Sequence, residues 1–383
     1  MEIMTTDGPV LVADLSAGME VYAFNPATEI VKPKPVRGIQ HITGISEGVS
    51  IEHRRANIHV APDHRIPFQT KAIDRTRFAS AEELSDREHY HFINDWRLSF
   101  GPPLDVFDVS DHLDEYEMCA ATDEHGHAFR AALPAGCDPC RRNSHVGYCF
   151  DPPTFKQYQE IIESVADEVT IHAGKNHHRQ PYRFDGDDVI DLIGWFVTEG
   201  SVSWKAEKDT ATVSVAQETD AHRREIRQLF ERMGLGTYVN TQCVQIGSAL
   251  YGRLLEQLCG TDSHTKRLPE FVFGLSEDQQ RRLHEVLLAG DGNKDRVYYT
   301  ASEELAGDVL RLALHCGYKP TYSTRKGYYR IFHPQIPDQF RASEHVSRTE
   351  FDDGCYRLTV QDYGTVMAGR DGTFQWVGVS QVQ

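Results

Sequence analysis

Positive charge is scarce in this sequence. Its 383 residues contain 40 lysines and arginines against 57 aspartates and glutamates, which gives a formal net charge of −17 at pH 7. Non-specific affinity for nucleic acid rests on neutralisation of phosphates by basic side chains. The composition therefore argues against a protein that binds nucleic acid without selectivity. It is typical of proteins that stay soluble at high salt, and we expect a halophilic surface.

Long apolar runs are missing as well. No stretch approaches the roughly 20 residues that a membrane-spanning helix needs, and no signal-peptide pattern follows Met1. Eight cysteines without such a signal favour free thiols or metal ligands over a disulfide scaffold. We therefore expect a cytoplasmic protein with no membrane partner, and a chain long enough for two domains.

Residues 188–200 are apolar nearly all round and end in Glu199 and Gly200. This pattern predicts a buried helix with a carboxylate at its C-terminus. An anion is disfavoured there because the helix dipole is negative at that end, whereas a divalent cation would be stabilised. We expect Gly200 in the left-handed position that follows many helices. Gly194, inside the helix, predicts close approach of another backbone.

The same pattern returns in residues 283–292, which end in Asp291 and Gly292. In both places a strand pattern, a helix, a glycine and further strands follow, which indicates an internal repeat. Two such units can pack their acid-tipped helices side by side about a pseudo-twofold axis. Glu199 and Asp291 would then meet. The strands are predicted over 212–217, 297–302 and 318–332, and the helices over 221–233 and 304–316.

Both acid-tipped segments resemble the two dodecapeptide motifs of LAGLIDADG homing endonucleases. The resemblance implies a pseudo-twofold αββαββα endonuclease domain over residues 183–344. It implies Glu199 and Asp291 as catalytic acids that bind Mg²⁺, two or more ions per active site, and Lys266 as the lysine near that site. Val286 stands where the family has a helix-packing glycine, and we expect it to loosen the helix pair.

The partner that this resemblance implies is double-stranded DNA with a long, partly palindromic site, cut by a monomer that carries both half-motifs. Polar and aromatic side chains on strands can read base edges in a major groove, although the same side chains could form a plain solvent face. The strand residues expected on the DNA face are Thr212, Ser214, Gln217, Thr300, Ser302, Tyr322, Thr324 and Tyr329. The basic residues proposed to contact DNA are Arg223, Arg227, Arg325, Lys326 and Arg330.

The two ends of the chain consist of short strands and turns. Residues 1–95 and 345–383 therefore suggest one all-β domain interrupted by an insertion, in an α+β protein. The N-terminal part resembles the opening strands of an intein's Hint fold, with His64 at the histidine of an intein block. Residues 356–376 resemble the block before an intein's C-terminal junction. Together the resemblances imply an endonuclease-bearing intein of haloarchaeal type.

Little of the chemistry of protein splicing is visible in the sequence. Acyl transfer needs a nucleophile and an activating base, and the sequence begins Met1-Glu2 without either a cysteine or a serine there. Gly378 and Val379 replace the usual His-Asn, and Ser380 stands where a nucleophile after the junction could be. We expect degenerate junctions. A splicing-competent intein whose ends lie outside the sequence, and a non-cleaving nucleic-acid-binding protein of the same fold, remain alternatives.

Residues 96–182 are predicted to be an insertion with a possible DNA contact. Within it, Pro102, Pro103 and the run of acids from Asp105 to Glu115 indicate a surface connection. Cys137, Cys140, His145 and Cys149 form a C-x2-C-x4-H-x3-C array. This spacing is close to that of a zinc knuckle and makes Zn²⁺ a possible ligand, although unrelated buried cysteines would explain the same pattern. An amphipathic helix is predicted over 153–169, and a basic linker over 175–183.

Overall fold

The structure is a computed structural model that describes residues 1–70, 73–84, 89–113, 115–123, 126–143, 145–172, 180–333, 339–352 and 354–382. The fold is mixed α+β, as predicted. The α-helices of the described part are α1 (Gly126–Ala132), α2 (Pro152–Val165), α3 (Gly186–Glu199), α4 (Asp220–Arg232), α5 (Ala249–Cys259), α6 (Glu277–Asp291), α7 (Glu303–His315) and α8 (Ala342–His345). None of these helices is long and apolar enough to cross a membrane.

The strands of the described residues form six sheets. The largest has the order Val297–Thr300, Tyr328–Phe332, Thr321–Arg325, Thr373–Gly378, Thr365–Arg370, Glu2–Thr5, Glu20–Asn25, Ile30–Ile42, Cys355–Gln361 and Ser380–Val382, with Gly8–Leu11 and Arg97–Leu98 paired at its side. The four-stranded sheets are Gly200–Lys205, Thr210–Ala216, Cys243–Gly247, Thr237–Val239; Arg141–Asn143, Gly147–Phe150, Glu117–Ala121, Glu168–His172; and Gln339–Phe340, Tyr90–His91, Arg65–Thr70, Ile73–Ser80. The smaller sheets are Val346–Glu350, Glu47–His53, Ala56–Val60; and Val106–Asp108, Arg183–Asp185.

The first and last parts of the chain share the largest sheet. Glu2 pairs with Gly369, and Cys355 pairs with Ile42 at the far end of a long strand. A single residue pair, Thr321 with Thr373, joins the hairpin of the second repeat to this sheet. The β texture expected at both chain ends is therefore present, whereas the exact limits of the predicted domains stay predictions.

The sequence repeat is also a structural repeat. After α3, the first unit continues with a hairpin, α4 and two further strands; after α6, the second unit continues with a strand, α7 and a hairpin. Strand order corresponds in the two units. The first strand of the second unit is reduced to one bridge between Gly292 and Tyr298. The second unit is therefore a shortened copy of the first.

Helices α3 and α6 fit together at two levels. A Cβ atom on Gly194 would lie 2.6 Å from Val286 Cγ1, and one on Gly290 would lie 2.4 Å from Thr198 Oγ1. Each level pairs a glycine with a β-branched side chain, and the two glycines lie on opposite helices. The expectation that Val286 loosens the pair is wrong, because Val286 fills the space that Gly194 leaves free.

Both acid-tipped helices lead directly into extended backbone. Gly200 has φ −85° and ψ 147°, and Gly292 has φ −90° and ψ 158°, so the expected left-handed conformation is wrong. A Cβ atom on Gly200 would lie 2.4 Å from the Phe196 carbonyl oxygen, and one on Gly292 would lie 2.3 Å from that of Leu288. Glycine is needed here because the chain leaves each helix tightly against its last turn.

The inserted region contains a packed substructure after the connection that was expected over residues 102–115. Its four-stranded sheet contributes buried residues such as Met118 and Ile171 to the same core as Ile190 of α3. The predicted helix over 153–169 ends at Val165, because the chain continues into a strand at Glu168. Most of the predicted basic linker, residues 175–179 of 175–183, lies outside the described residues.

Candidate active site at the tips of the central helices

Glu199 and Asp291 are the last residues of α3 and α6. Burial and then the Glu199 carboxylate raise the pKa of Asp291 to about 7, against a smaller lowering by Lys266. Burial and the neighbouring Glu218 carboxylate raise the pKa of Glu199. The packed helix tips therefore bring two partly desolvated acids within electrostatic reach of each other. Such a pair is stabilised by a proton or by a cation.

Lys266 lies at the C-terminal end of α3. Its Nζ donates a hydrogen bond of 2.8 Å to the carbonyl oxygen of Phe196 and lies 3.5 Å from the centroid of the Phe196 ring. The residue is only 4% exposed, and burial lowers the pKa of its ammonium group to about 8. The carbonyl that it contacts belongs to the negative end of the helix dipole, which favours the charged form.

The second repeat holds the backbone that carries this lysine. Ser302 Oγ donates to the Lys266 carbonyl oxygen at 2.6 Å, and Asp308 Oδ2 accepts from Leu268 N at 2.7 Å. Ser302 also caps α7 by accepting from Leu305 N. Lys266 consequently links the two units, since its ammonium group contacts the first and its main chain is fixed by the second. Neither Ser302 nor Asp308 is identifiable from sequence spacing as a neighbour of Lys266.

Buried polar atoms without a protein partner lie in the same region. They include Tyr298 Oη and Gln217 Nε2. Burial, followed by the charges of Asp291 and Glu199, raises the pKa of Tyr298. Gln217 Oε1 contacts His222 Nδ1 at 3.2 Å. Unpaired buried groups need water or a ligand. The sequence reasoning missed Tyr298, whose only signal is its place on the strand after the second acid.

The donor set suits a hard divalent cation. Within the described ranges no group of three or more histidine, cysteine, aspartate or glutamate side chains is placed to hold a metal ion. Two carboxylates leave most positions of an octahedral ion to water and phosphate oxygens, which is how Mg²⁺ is usually bound. Glu199 and Asp291 therefore have the ligand chemistry of a site for a hard divalent cation.

The four-stranded sheet that begins at Gly200 belongs to the first unit and is called the first sheet. One of its faces carries small polar side chains. Ser201 pairs with Ser214, and Ser214 pairs with Gln245, whose Nε2 donates to Ser214 Oγ at 2.9 Å. Val213 and Val215 alternate with these positions and are buried. Thr212 has the same parity as Ser214, so both predicted residues lie on the polar face. Gln217 was also expected there, but it is 8% exposed and lies beyond the strand's end.

The strands of the second unit, which form one edge of the largest sheet, present aromatic and basic residues on the equivalent face. Tyr299 pairs with Arg330, which pairs with Ser323 and donates to its Oγ at 3.0 and 3.2 Å. Arg325 and Tyr328 share this face and are exposed. The structure corrects the remaining expectations for this face. Tyr322, Thr324 and Tyr329 alternate with these residues and lie on the opposite face, and Thr300 and Ser302 are buried.

Two arginines that were expected to contact DNA are occupied elsewhere. Arg223 pairs with Asp220 and donates to the Glu218 carbonyl oxygen at 2.8 Å. Arg227 forms an ion pair of 2.7 Å with Glu231 along α4. This helix packs against α3 and the inner side of the first sheet, so it lies behind the polar face. Arg223 and Arg227 are therefore misplaced for the predicted role, whereas Arg325, Lys326 and Arg330 lie in the exposed hairpin.

His64 and Ser380 lie among the strands of the chain ends. Burial lowers the pKa of His64 to about 4, against smaller raising effects of Asp63 and of a hydrogen bond with the Gly378 main chain. The Nε2 atom of His64 is buried without a partner. Ser380 is exposed at the start of a strand and pairs in parallel register with Thr359.

The predicted zinc array is not assembled as a cluster. Cys149 Sγ lies 3.0 Å from the sulfur of Cys119, and Cys140 Sγ contacts the Cys149 carbonyl oxygen at 3.2 Å. Cys137 is buried and His145 is exposed. The spacing suggested a tetrahedral site, but the partner of Cys149 comes from a neighbouring strand that sequence spacing does not reveal.

Comparison with known proteins gives partial matches. No family model matches the sequence. Curated relatives include a DNA polymerase of Thermococcus hydrothermalis, 27% identical over 190 residues that cover 46% of this chain and 11% of the relative. Another is an iron-sulfur cluster assembly SufBD family protein of Mycobacterium leprae, 31% identical over 157 residues that cover 38% of this chain and 18% of the relative. The chain thus spans less than a fifth of the length of these relatives.

Solved structures that are similar to part of the chain include both kinds of protein that the sequence resembles. The homing endonuclease I-DmoI in complex with its target DNA is 15% identical, with 39% of this chain and 87% of that chain covered and a TM-score of 0.31. The N-terminal LAGLIDADG domain of WhiA is 8% identical, with coverages of 39% and 75% and a TM-score of 0.28. A DnaB intein from Synechocystis is 21% identical, with coverages of 25% and 69% and a TM-score of 0.20.

Proposed function

We propose that this protein is a site-specific DNA endonuclease of the LAGLIDADG type that makes a divalent-metal-dependent double-strand cut. The observation that carries the proposal is the placement of Glu199 and Asp291 at adjoining tips of two closely packed helices, each helix leading directly into extended backbone of its own unit. Asp291 is partly buried and its charge is disfavoured by the exposed Glu199 carboxylate beside it, an arrangement that destabilises a fold unless a ligand compensates. A site for cations is the simplest reason to keep both acids.

Glu199 and Asp291 would hold Mg²⁺, which when bound activates a water molecule and stabilises charge on the phosphate. Lys266 contributes a positive charge that is already desolvated and fixed by the Phe196 carbonyl, so it costs little reorganisation when negative charge develops nearby. Its pKa of about 8 lies close enough to neutrality for Nζ to exchange a proton in the reaction. The buried Tyr298 hydroxyl has no protein partner, so it could donate a hydrogen bond to a ligand or a water molecule.

The polar faces of the two sheets would bind the DNA. The first face offers hydroxyl and amide groups, and the second offers tyrosines and arginines. Both kinds of group read base edges and contact phosphates in a major groove. Because the units are related by a pseudo-twofold axis but differ in these side chains, a monomer would recognise a long site whose half-sites are only partly symmetric.

We further propose that the endonuclease lies within an intein-like element. The strands of the two chain ends, 1–95 and 345–383, would form the Hint-like domain, 96–182 the insertion and 183–344 the endonuclease. The chain matches two relatives of unlike function, and each match covers less than a fifth of the relative's length. Such matches are typical of an inserted element. The splicing junctions would be degenerate, and the acidic surface would be halophilic.

The proposal is tested by cleavage of a plasmid library with random inserts, at high salt with Mg²⁺. Wild type, Glu199→Gln and Asp295→Asn are compared; Asp295 is an exposed acid near the second helix tip and serves as the control. We expect wild type and Asp295→Asn to cut a recurring long site, and Glu199→Gln to bind it without cutting. If wild type binds DNA with or without Mg²⁺ and never cuts, a non-cleaving binding protein is the better account.

The geometry of His64 favours a second candidate, protein splicing. Its buried imidazole lies beside the Gly378 main chain and has an unpartnered Nε2 atom, and general-base chemistry needs such a group near a reacting backbone. The chain is placed between two reporter proteins with flanking nucleophiles restored. A joined reporter product, lost in His64→Ala and retained in Glu199→Gln, would establish splicing; unspliced precursor alone would exclude it.

A further inference from the structure

The array that was expected to bind zinc forms a different arrangement. Cys119 and Cys149 lie directly opposite each other on neighbouring antiparallel strands, Glu117–Ala121 and Gly147–Phe150. Their Sγ atoms are 3.0 Å apart, and both residues are fully buried. Directly opposed residues have Cα atoms about 4.5–5.5 Å apart, a separation that disulfides accept. The two thiols are therefore placed for a covalent bond with little movement of the backbone.

An exposed third thiol gives access to this pair. Cys140 lies at the surface, and its Sγ and N atoms donate to the Cys149 carbonyl oxygen at 3.2 Å and 2.8 Å. Arg141 follows Cys140 and is the strand partner of Cys149. The hydrogen bond from Cys119 lowers the pKa of the Cys149 thiol against the effect of burial, and the Arg141 charge lowers it further. Burial and the Glu117 carboxylate raise the pKa of the Cys140 thiol, so Cys140 reacts through a minor thiolate fraction. Thiolate is the reactive form of cysteine.

We propose that Cys140, Cys149 and Cys119 form an oxidation site that takes a low-molecular-weight disulfide such as oxidised glutathione. The Cys140 thiolate attacks the small disulfide, forms a mixed disulfide and releases one small thiol. Cys149 then attacks the Cys140 sulfur and releases the second small thiol. Cys119 finally attacks Cys149, which forms the Cys119–Cys149 disulfide and returns Cys140 as a thiol. Two protein thiols are oxidised and one small disulfide is reduced to two thiols, which take up the two protons.

The product would lock the sheet of the inserted region. Cys119 lies on the strand next to Met118, which packs in the same core as α3, so the cross-link stiffens a sheet that supports the first acid-tipped helix. The closed loop runs from residue 119 to residue 149 and excludes many unfolded conformations. We expect oxidation to raise the Tm of the full chain by roughly 5 °C.

The test is a peptide map of the full-length protein after treatment with oxidised glutathione. Remaining thiols are blocked, the protein is digested without reduction, and cross-linked peptides are identified by mass spectrometry. We expect a link between Cys119 and Cys149 in wild type and in Cys137→Ser, which removes a buried thiol outside the pair. Cys119→Ser should form no such link and should stop at the preceding intermediate, a disulfide between Cys140 and Cys149 with no glutathione left on the protein. Cys140→Ser should form the same link at least tenfold more slowly.

Two results would overturn the proposal. A wild-type protein that remains fully reduced at those two residues, while exposed Cys140 becomes glutathionylated, would show that the pair does not close. A Cys140→Ser variant that is oxidised as fast as wild type would remove Cys140 from the pathway. The thermal scan is independent of the peptide maps. An unchanged Tm in a protein shown to be cross-linked would refute the expected stabilisation by the disulfide.

Discussion

Replacement of Asp291 by asparagine should stabilise the metal-free protein in a pH-dependent manner. The pKa of Asp291 is about 7 in the folded chain because burial and Glu199 disfavour its charge, against about 3.9 in an unfolded chain. The native state therefore holds the proton more tightly than the unfolded state. Below pH 4 the carboxyl group is protonated in the native state and does not lower the free energy of unfolding. The loss of free energy is complete once the pH has risen through 7.

The interval between these two values corresponds to about 4 kcal/mol. Asp291 is only partly buried, so screening by solvent reduces the cost to about 2 kcal/mol. Asparagine has nearly the same shape and no charge. We therefore expect the free energy of unfolding of Asp291→Asn to be about 2 kcal/mol higher than that of wild type at pH 8, and equal to it at pH 4.

The measurement is denaturant unfolding of both proteins at pH 4, 6 and 8 without divalent cations, with Asp295→Asn as the control. Titration with Mg²⁺ at pH 8 should then narrow the difference, because a cation that binds the native wild type stabilises it alone. Equal stability of wild type and Asp291→Asn at pH 8, or a difference that persists unchanged at pH 4, would refute the reasoning.

Further predictions concern the helix pair, the lysine and the basic face. Gly194→Ala should destabilise the chain by about 2 kcal/mol because its Cβ meets Val286, and Val286→Ala should recover most of that loss in a double-mutant cycle by denaturant unfolding; additive effects would refute the fit. Ser302→Ala removes the hydrogen bond to the Lys266 carbonyl, and we expect it to lower kcat about tenfold with little change in DNA affinity; an effect on affinity alone would contradict the positioning role. Arg330→Ala should weaken DNA binding and reduce its salt dependence by about one phosphate contact, as measured by titration at several salt concentrations; an unchanged salt slope would place Arg330 away from the phosphates.

The elements that could be predicted from sequence are those whose signal is local. The helices that end in Glu199 and Asp291 were predictable because an apolar run stops at an acid and a glycine, and the structure ends both helices there. The conformation of the glycines was not predictable. A glycine in the left-handed conformation and a glycine crowded by its own helix, as at Gly200, cannot be told apart from the sequence.

Most of the errors concern positions that depend on distant partners. Val286 looked like a defect because its neighbour Gly194 comes from the other repeat. Arg223 is the exception, because Asp220, which pairs with it, lies three residues earlier on the same helix and this pairing was predictable from the spacing. Cys149 looked like a zinc ligand because Cys119, which it actually faces, belongs to no recognisable spacing. Local patterns fix where helices end, whereas tertiary contacts decide what each polar group touches.

The pairing of Glu2 with Gly369 has a consequence for how the chain folds during synthesis. The first strands leave the ribosome long before the strands that flank them in the sheet, and closure of so large a loop is slow. Residues 183–333 pair mainly with near neighbours in sequence, so they can fold first and shorten the remaining loop. Until then the N-terminal strands carry unpaired edges, which are sites of aggregation. Emergence of residues 355–382, rather than of the first strands, should therefore set the moment at which the largest sheet forms.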